Sequence, residues 1–84
     1  MKIIFTGHSK QRILERGILK SEIEKAVENP TSVLLSYGST ERIQKIIKGR
    51  TLEIVLERNG QIITIITAYY LWIQNTTKLL MQYI

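Results

Sequence analysis

Thr51-Leu52-Glu53-Ile54-Val55-Leu56-Glu57-Arg58-Asn59-Gly60-Gln61-Ile62-Ile63-Thr64-Ile65-Ile66-Thr67-Ala68 is the stretch on which the fold turns. Two runs of β-branched and aliphatic residues flank Asn59-Gly60, a dipeptide that supplies the positive φ angles of a type I′ hairpin turn. Pairing Arg58 with Gln61 sets Leu52, Ile54 and Leu56 beside Thr67, Ile65 and Ile63 on one face, the expected core side. Glu53, Val55 and Glu57 then share the other face with Ile66, Thr64 and Ile62. Upstream, residues 31–36 and 41–48 repeat the β pattern, with Gly38-Ser39 between them and Gly49-Arg50 after the second. If Gly49-Arg50 forms a two-residue turn, Ile47, Lys45 and Ile43 join the apolar face, and Lys45 is either shifted outward by a bulge or lines a pocket. The four runs predict an antiparallel meander.

Ahead of the meander the pattern is different. Lys2 to Phe5 reads as a short extra N-terminal strand. Thr6-Gly7-His8-Ser9 offers capping groups for a helix that runs to about Arg16 and stops at Gly17, a C′ residue. Ser21 followed by Glu24 fits a capping box, and Ile23, Ala26 and Val27 recur at helical spacing until Asn29-Pro30 ends the segment. The expected fold class is therefore α+β, with two N-terminal helices packed on a four-stranded antiparallel sheet.

The chain has 84 residues and no cysteine, and 12 Lys+Arg against 7 acidic residues give a net charge of +5. Residues 1–84 read as a single domain, because this length cannot fill two cores. All seven acids are glutamates and there is one histidine. That composition removes disulfides and thiolate chemistry and leaves too few ligands for an ordinary metal site, so neither a metal nor a cofactor is expected. The opening residues lack a secretory apolar run, and the long uncharged stretch after Asn59 is broken by polar turn residues. A cytoplasmic protein without a membrane span is expected. The positive charge is concentrated in residues 1–20, where Lys2, Lys10, Arg12, Arg16 and Lys20 face only Glu15. The basic balance suggests an anionic partner, and the asymmetry makes the N-terminal segment the positive end of a lopsided field.

His8, Arg12 and Arg16 are spaced i, i+4, i+8 and form one stripe on the first helix. An imidazole with two guanidiniums suits metal-free phosphodiester chemistry: histidine moves a proton, arginines stabilise phosphate charge, and the 2′-hydroxyl of RNA supplies the nucleophile. The same stripe also reads as an ordinary solvated face, with Ile13 and Leu14 on the inner side. Lys10, Arg12, Arg16, Lys45, Lys48 and Arg50 are the candidate nucleic-acid contacts. The lysines near the hairpin serve equally to discourage edge-to-edge aggregation. Tyr37, Tyr69, Tyr70 and Tyr83 could stack on bases or pack with only the hydroxyl wet.

Phe5-Thr6-Gly7-His8-Ser9-Lys10-Gln11-Arg12-Ile13-Leu14-Glu15-Arg16-Gly17-Ile18 resembles the opening of a small bacterial and archaeal domain family of unknown function, with the pattern His-x-x-x-Arg-x-x-x-Arg-Gly-Ile. Ser21 to Pro30 resembles its second helix and Gln61 to Tyr69 its closing strand, so the family-like core covers about residues 3–70. That family in turn resembles RelE-like toxins and related metal-independent RNases. The resemblance implies a RelE/barnase-like fold and a toxin-type ribonuclease or a descendant of one. His8 would be the proton-transfer residue, Arg12 and Arg16 the phosphate-facing arginines, and Thr67 or Tyr69 a polar contributor from the last strand. The implied partners are RNA, free or on the ribosome, and an antitoxin protein. The alternative is a non-catalytic module that binds nucleic acid or protein through the Arg12/Arg16 basic face. Residues 71–84, apolar and aromatic, form an extension beyond the family pattern that could build a homodimer or pack on the core.

Overall fold

Thr6 starts the first helix by the mechanism its sequence suggests. In the computed structural model, which describes residues 1–35 and 38–71, the Thr6 side chain accepts a hydrogen bond from the Ser9 N–H at 3.0 Å, and the Ser9 hydroxyl donates to the Thr6 carbonyl at 3.0 Å. Strand β1 (Lys2–Phe5) precedes this cap and helix α1 (Gly7–Glu15) follows it. The helix ends in a Schellman motif: Gly17 N–H donates to the Leu14 carbonyl at 3.2 Å, and Ile18 N–H donates to Ile13 at 3.0 Å. Gly17 sits at φ +66°, a region that side-chain-bearing residues enter only at a cost. Ile13 and Ile18, the apolar pair that accompanies such a motif, are both buried.

Helix α2 (Lys20–Glu28) begins earlier than Ser21 and Glu24 suggest. Its N-cap is Leu19, whose N–H donates to Glu22 Oε1 at 2.9 Å. Glu22 supplies the returning half of a capping box, and its other oxygen accepts the Tyr70 hydroxyl at 2.9 Å. A contact from the far end of the chain thus selects Glu22 over Glu24. Asn29 leaves the helix at φ −145°, as a residue before proline must.

The remaining strands are β2 (Ser32–Leu35), β3 (Thr40–Ile47), β4 (Arg50–Asn59) and β5 (Ile62–Tyr70). They form the expected meander, but the sheet is not a four-stranded antiparallel one. β1 joins it parallel to β5, with Lys2 opposite Ile62 and Phe5 opposite Ile65, so a five-stranded mixed sheet of order β1-β5-β4-β3-β2 results. This overturns the RelE/barnase-like sheet expected from the sequence, although the α+β class stands. The physical reason is that a hairpin announces itself by its turn, whereas a parallel pair separated by two helices and three strands has no local signal.

Both hairpin turns lie one residue away from their expected places. The β4–β5 loop is Gly60-Gln61, with Asn59 opposite Ile62 and positive φ at Gly60 (+62°) but not at Gln61, the pattern of a type II′ turn. The β3–β4 loop is Lys48-Gly49, with φ of +51° and +80°, the pattern of type I′. Each change slides the register by two residues and so leaves the faces intact. A β-bulge then leaves Ile66 unpaired between Leu56↔Ile65 and Val55↔Thr67. Beyond it the phase of β5 reverses: Ala68 and Tyr70 take the core side, while Thr67 and Tyr69 turn to the outer face.

Helix α1 lies over β5 and α2 over β3. The core between helices and sheet includes Ile13, Ile18, Ile23, Ala26, Ile43, Leu52, Ile54, Leu56, Ile63, Ile65 and Ala68, all at 5% exposure or less. Lys45, opposite buried Leu52, is not shifted outward by a bulge: the β3–β4 register is unbroken, and its Nζ donates to the Asn29 carbonyl at 2.8 Å. A cation there satisfies a carbonyl left free at the end of α2 and suits the helix dipole. Among the described residues no helix is long and apolar enough to cross a membrane. The tail from residue 72, the dimer expected from it, Tyr37 and Tyr83 lie outside the described residues.

Candidate functional site

The carboxyl end of β5 runs past the end of β1, which stops opposite Ile65. There the Arg16 side chain takes up the sheet edge. As the C-cap of α1, Arg16 is held by its N–H bond to the Arg12 carbonyl at 3.0 Å, and its guanidinium donates to the Ala68 carbonyl at 2.9 Å and to Thr67 Oγ1 at 3.4 Å. The guanidinium carbon lies 6.0 Å from the centre of the Tyr69 ring. On the neighbouring strand, the first residue of β4, Arg50, stacks 3.9 Å over the ring of Tyr70. These four side chains line an open cleft of about 420 Å³.

Each tyrosine is fixed from behind by a glutamate. Tyr70 is anchored on Glu22 at the start of α2. The Tyr69 hydroxyl donates to Glu53 Oε2 on the outer face of the sheet. Glu53 is only 4% exposed, and its other oxygen accepts from Gln44 Nε2 at 2.8 Å. Arg42 approaches it at 3.7 Å. Gln44, Glu53 and Tyr69 are direct cross-strand partners on β3, β4 and β5, so a polar row crosses the sheet. Burial raises the pKa of both phenols above the ordinary tyrosine value, and donation to Glu53 or Glu22 raises it further. Both hydroxyls are therefore protonated donors near neutrality, committed to a carboxylate.

The arginines divide into two groups. Arg12 pairs with Glu15 at 3.0 Å, Arg42 with Glu53 at 3.7 Å and Arg58 with Glu41 at 2.9 Å. Arg16 and Arg50 make no ion pair among the described residues, yet both are held in place, one by a carbonyl and one by an aromatic face. Both line the same cleft. Two exposed guanidiniums without an ion-pair partner among the described residues thus stand in one cleft, a charge pattern that suits an anion.

The residues singled out from the sequence are distributed unevenly. Arg16, Thr67 and Tyr69 come together, and Arg50 joins them. His8 is exposed on the first turn of α1, roughly 12 Å along the helix axis from Arg16, and has no hydrogen-bond partner among the described residues. Arg12 is occupied by a surface ion pair with Glu15. Lys10 lies on another side of α1, beside a separate pocket. Lys45 binds the end of α2 and Lys48 occupies the β3–β4 turn. Glu53, Gln44 and Glu22 carried no site signal in the sequence. Only the register beyond the bulge reveals that Glu53 faces Tyr69 rather than Ile66. No group of three metal-ligating side chains occurs among the described residues.

No curated protein and no solved structure matches the chain. One family model does, over residues 5–70, a span that contains α1, α2, Arg16, Arg50 and both cleft tyrosines. The chain therefore belongs to the family described as a domain of unknown function, DUF4258.

Proposed function

We propose that the domain binds RNA, gripping the phosphodiester backbone with Arg16 and Arg50 and stacking exposed bases beside the guanidinium and tyrosine planes of the cleft. The observation that carries this reading is the pairing pattern of the arginines: the two without a carboxylate partner among the described residues share one cleft with two aromatic rings. Unpaired RNA bases are commonly held on aromatic and guanidinium planes, and phosphate contacts supply most of the affinity. Fluorescence anisotropy with a labelled single-stranded RNA tests it. Arg16→Ala and Arg50→Ala should each weaken binding, and the double variant should flatten the salt dependence by about 0.7 in the logarithmic slope per lost phosphate contact. Unchanged affinity and slope in the double variant would refute the reading.

A second reading is a metal-independent ribonuclease of toxin type, akin to the RelE-like group. It is favoured by the bond from Arg16 to Thr67 beside Tyr69, which joins three of the residues that the resemblance implies. His8 would be the proton carrier, brought to the reacting phosphate by a substrate laid along α1. Cleavage of RNA in the presence of a chelator, lost in a folded His8→Ala variant, supports this reading. Absence of cleavage by the wild-type protein, with and without ribosomes, leaves the binding module alone.

A further inference from the structure

A second concavity lies on α1, roughly half a turn of the helix away from the His8-Arg12-Arg16 stripe. It has a volume of about 230 Å³ and is lined by Phe5, Lys10, Ile13, Leu14, Ile18 and Lys20. Ile13 and Ile18 form its floor as part of the core, whereas Leu14 is 82% exposed. Leu19, next to the rim in sequence, is 61% exposed. Leu14 thus stands exposed on the wall of an apolar hollow, with Leu19 exposed just beyond Ile18 in the sequence. The hollow is smaller than the range of roughly 300–1,000 Å³ typical of cofactor and small-ligand pockets, and suits a single bulky side chain.

Charge selects the occupant. Neither Lys10 nor Lys20 makes an ion pair among the described residues, and the Lys20 ammonium is placed 5.5 Å over the Phe5 ring at the mouth. A second copy of this chain, itself at +5, would set like charges against these lysines. We infer that this hollow docks an acidic segment of a partner protein, which inserts one large apolar side chain between Phe5, Leu14 and Ile18 and sets its carboxylates against Lys10 and Lys20. The site is separate from the arginine cleft, so protein and nucleic acid could be held at once.

The probe is a fluorescein-labelled peptide of glutamates around one central phenylalanine, with an all-glutamate peptide as comparison. The phenylalanine peptide should bind at least about tenfold more tightly, the gain from burying one such side chain. Lys10→Glu with Lys20→Glu should abolish that binding, and Leu14→Gln, a change at an exposed position that leaves the core untouched, should weaken it about tenfold. Arg16→Ala with Arg50→Ala should leave it unchanged. Circular dichroism establishes folding for each variant. No binding, equal binding of the two peptides, or loss in the arginine variant instead of the lysine or leucine variants would overturn the inference.

Discussion

Arg16 shows how much one side chain contributes when its backbone is fixed first. Gly17 and Ile18 close the helix behind it, and the guanidinium then reaches β5 without a free choice of direction. Gly17 at φ +66° is the hinge of that arrangement, and nothing would obstruct an added Cβ there, so strain in the backbone is the sole penalty of a substitution. Gly17→Ala should cost about 1 kcal/mol in urea unfolding, and it should weaken RNA binding as well, because the C-cap that aims Arg16 loosens. The His-x-x-x-Arg-x-x-x-Arg-Gly-Ile pattern was legible as a helix stripe with a glycine stop. Its two arginines have different fates: Arg16 is drawn into the cleft by the β5 carbonyl, while Arg12 is diverted to Glu15 only three residues away.

The elements were legible in proportion to how locally they are determined. Cap, glycine stop and pre-proline exit all declared α1 and α2, and the β-branched runs declared β2 to β5. Register was not, since Asn59-Gly60 and Gly49-Arg50 each fit a turn in more than one frame and the cross-strand partners choose among them. The bulge at Ile66 was invisible because a run of Ile and Thr carries the same hydrophobicity in either phase. Its effect on the candidate site is nonetheless decisive, since it alone turns Tyr69 toward Glu53 and Tyr70 toward Glu22. Lys48 offers a test at this scale. It holds φ +51° in the first position of a type I′ turn, which Asn occupies with less strain. Lys48→Asn should stabilise the protein by roughly 0.5–1 kcal/mol, read as a raised urea midpoint at constant slope. An unchanged midpoint would mean that the turn does not limit stability.

At the scale of the whole molecule, the two anchored phenols link stability to alkaline pH. Their folded-state pKa values lie above the ordinary value near 10, so the folded state holds protons that the unfolded chain gives up. Stability is then complete below about pH 10 and falls as the pH rises beyond it. Tyr69→Phe combined with Tyr70→Phe should make that decline shallower, as measured by urea unfolding across the alkaline range; an equal decline in both proteins would locate the titration elsewhere. The parallel pairing of β1 with β5 has a different kind of consequence. Lys2 meets Ile62, and Arg16 meets Ala68 across 52 positions of chain, so neither contact can form until nearly all of the domain exists. On a translating ribosome the helices and the early meander emerge first, while the cleft is assembled only when β5 arrives and closes the long loop back to β1. The Arg16 cleft is thus a feature that the nascent chain acquires only after β5 has joined the sheet.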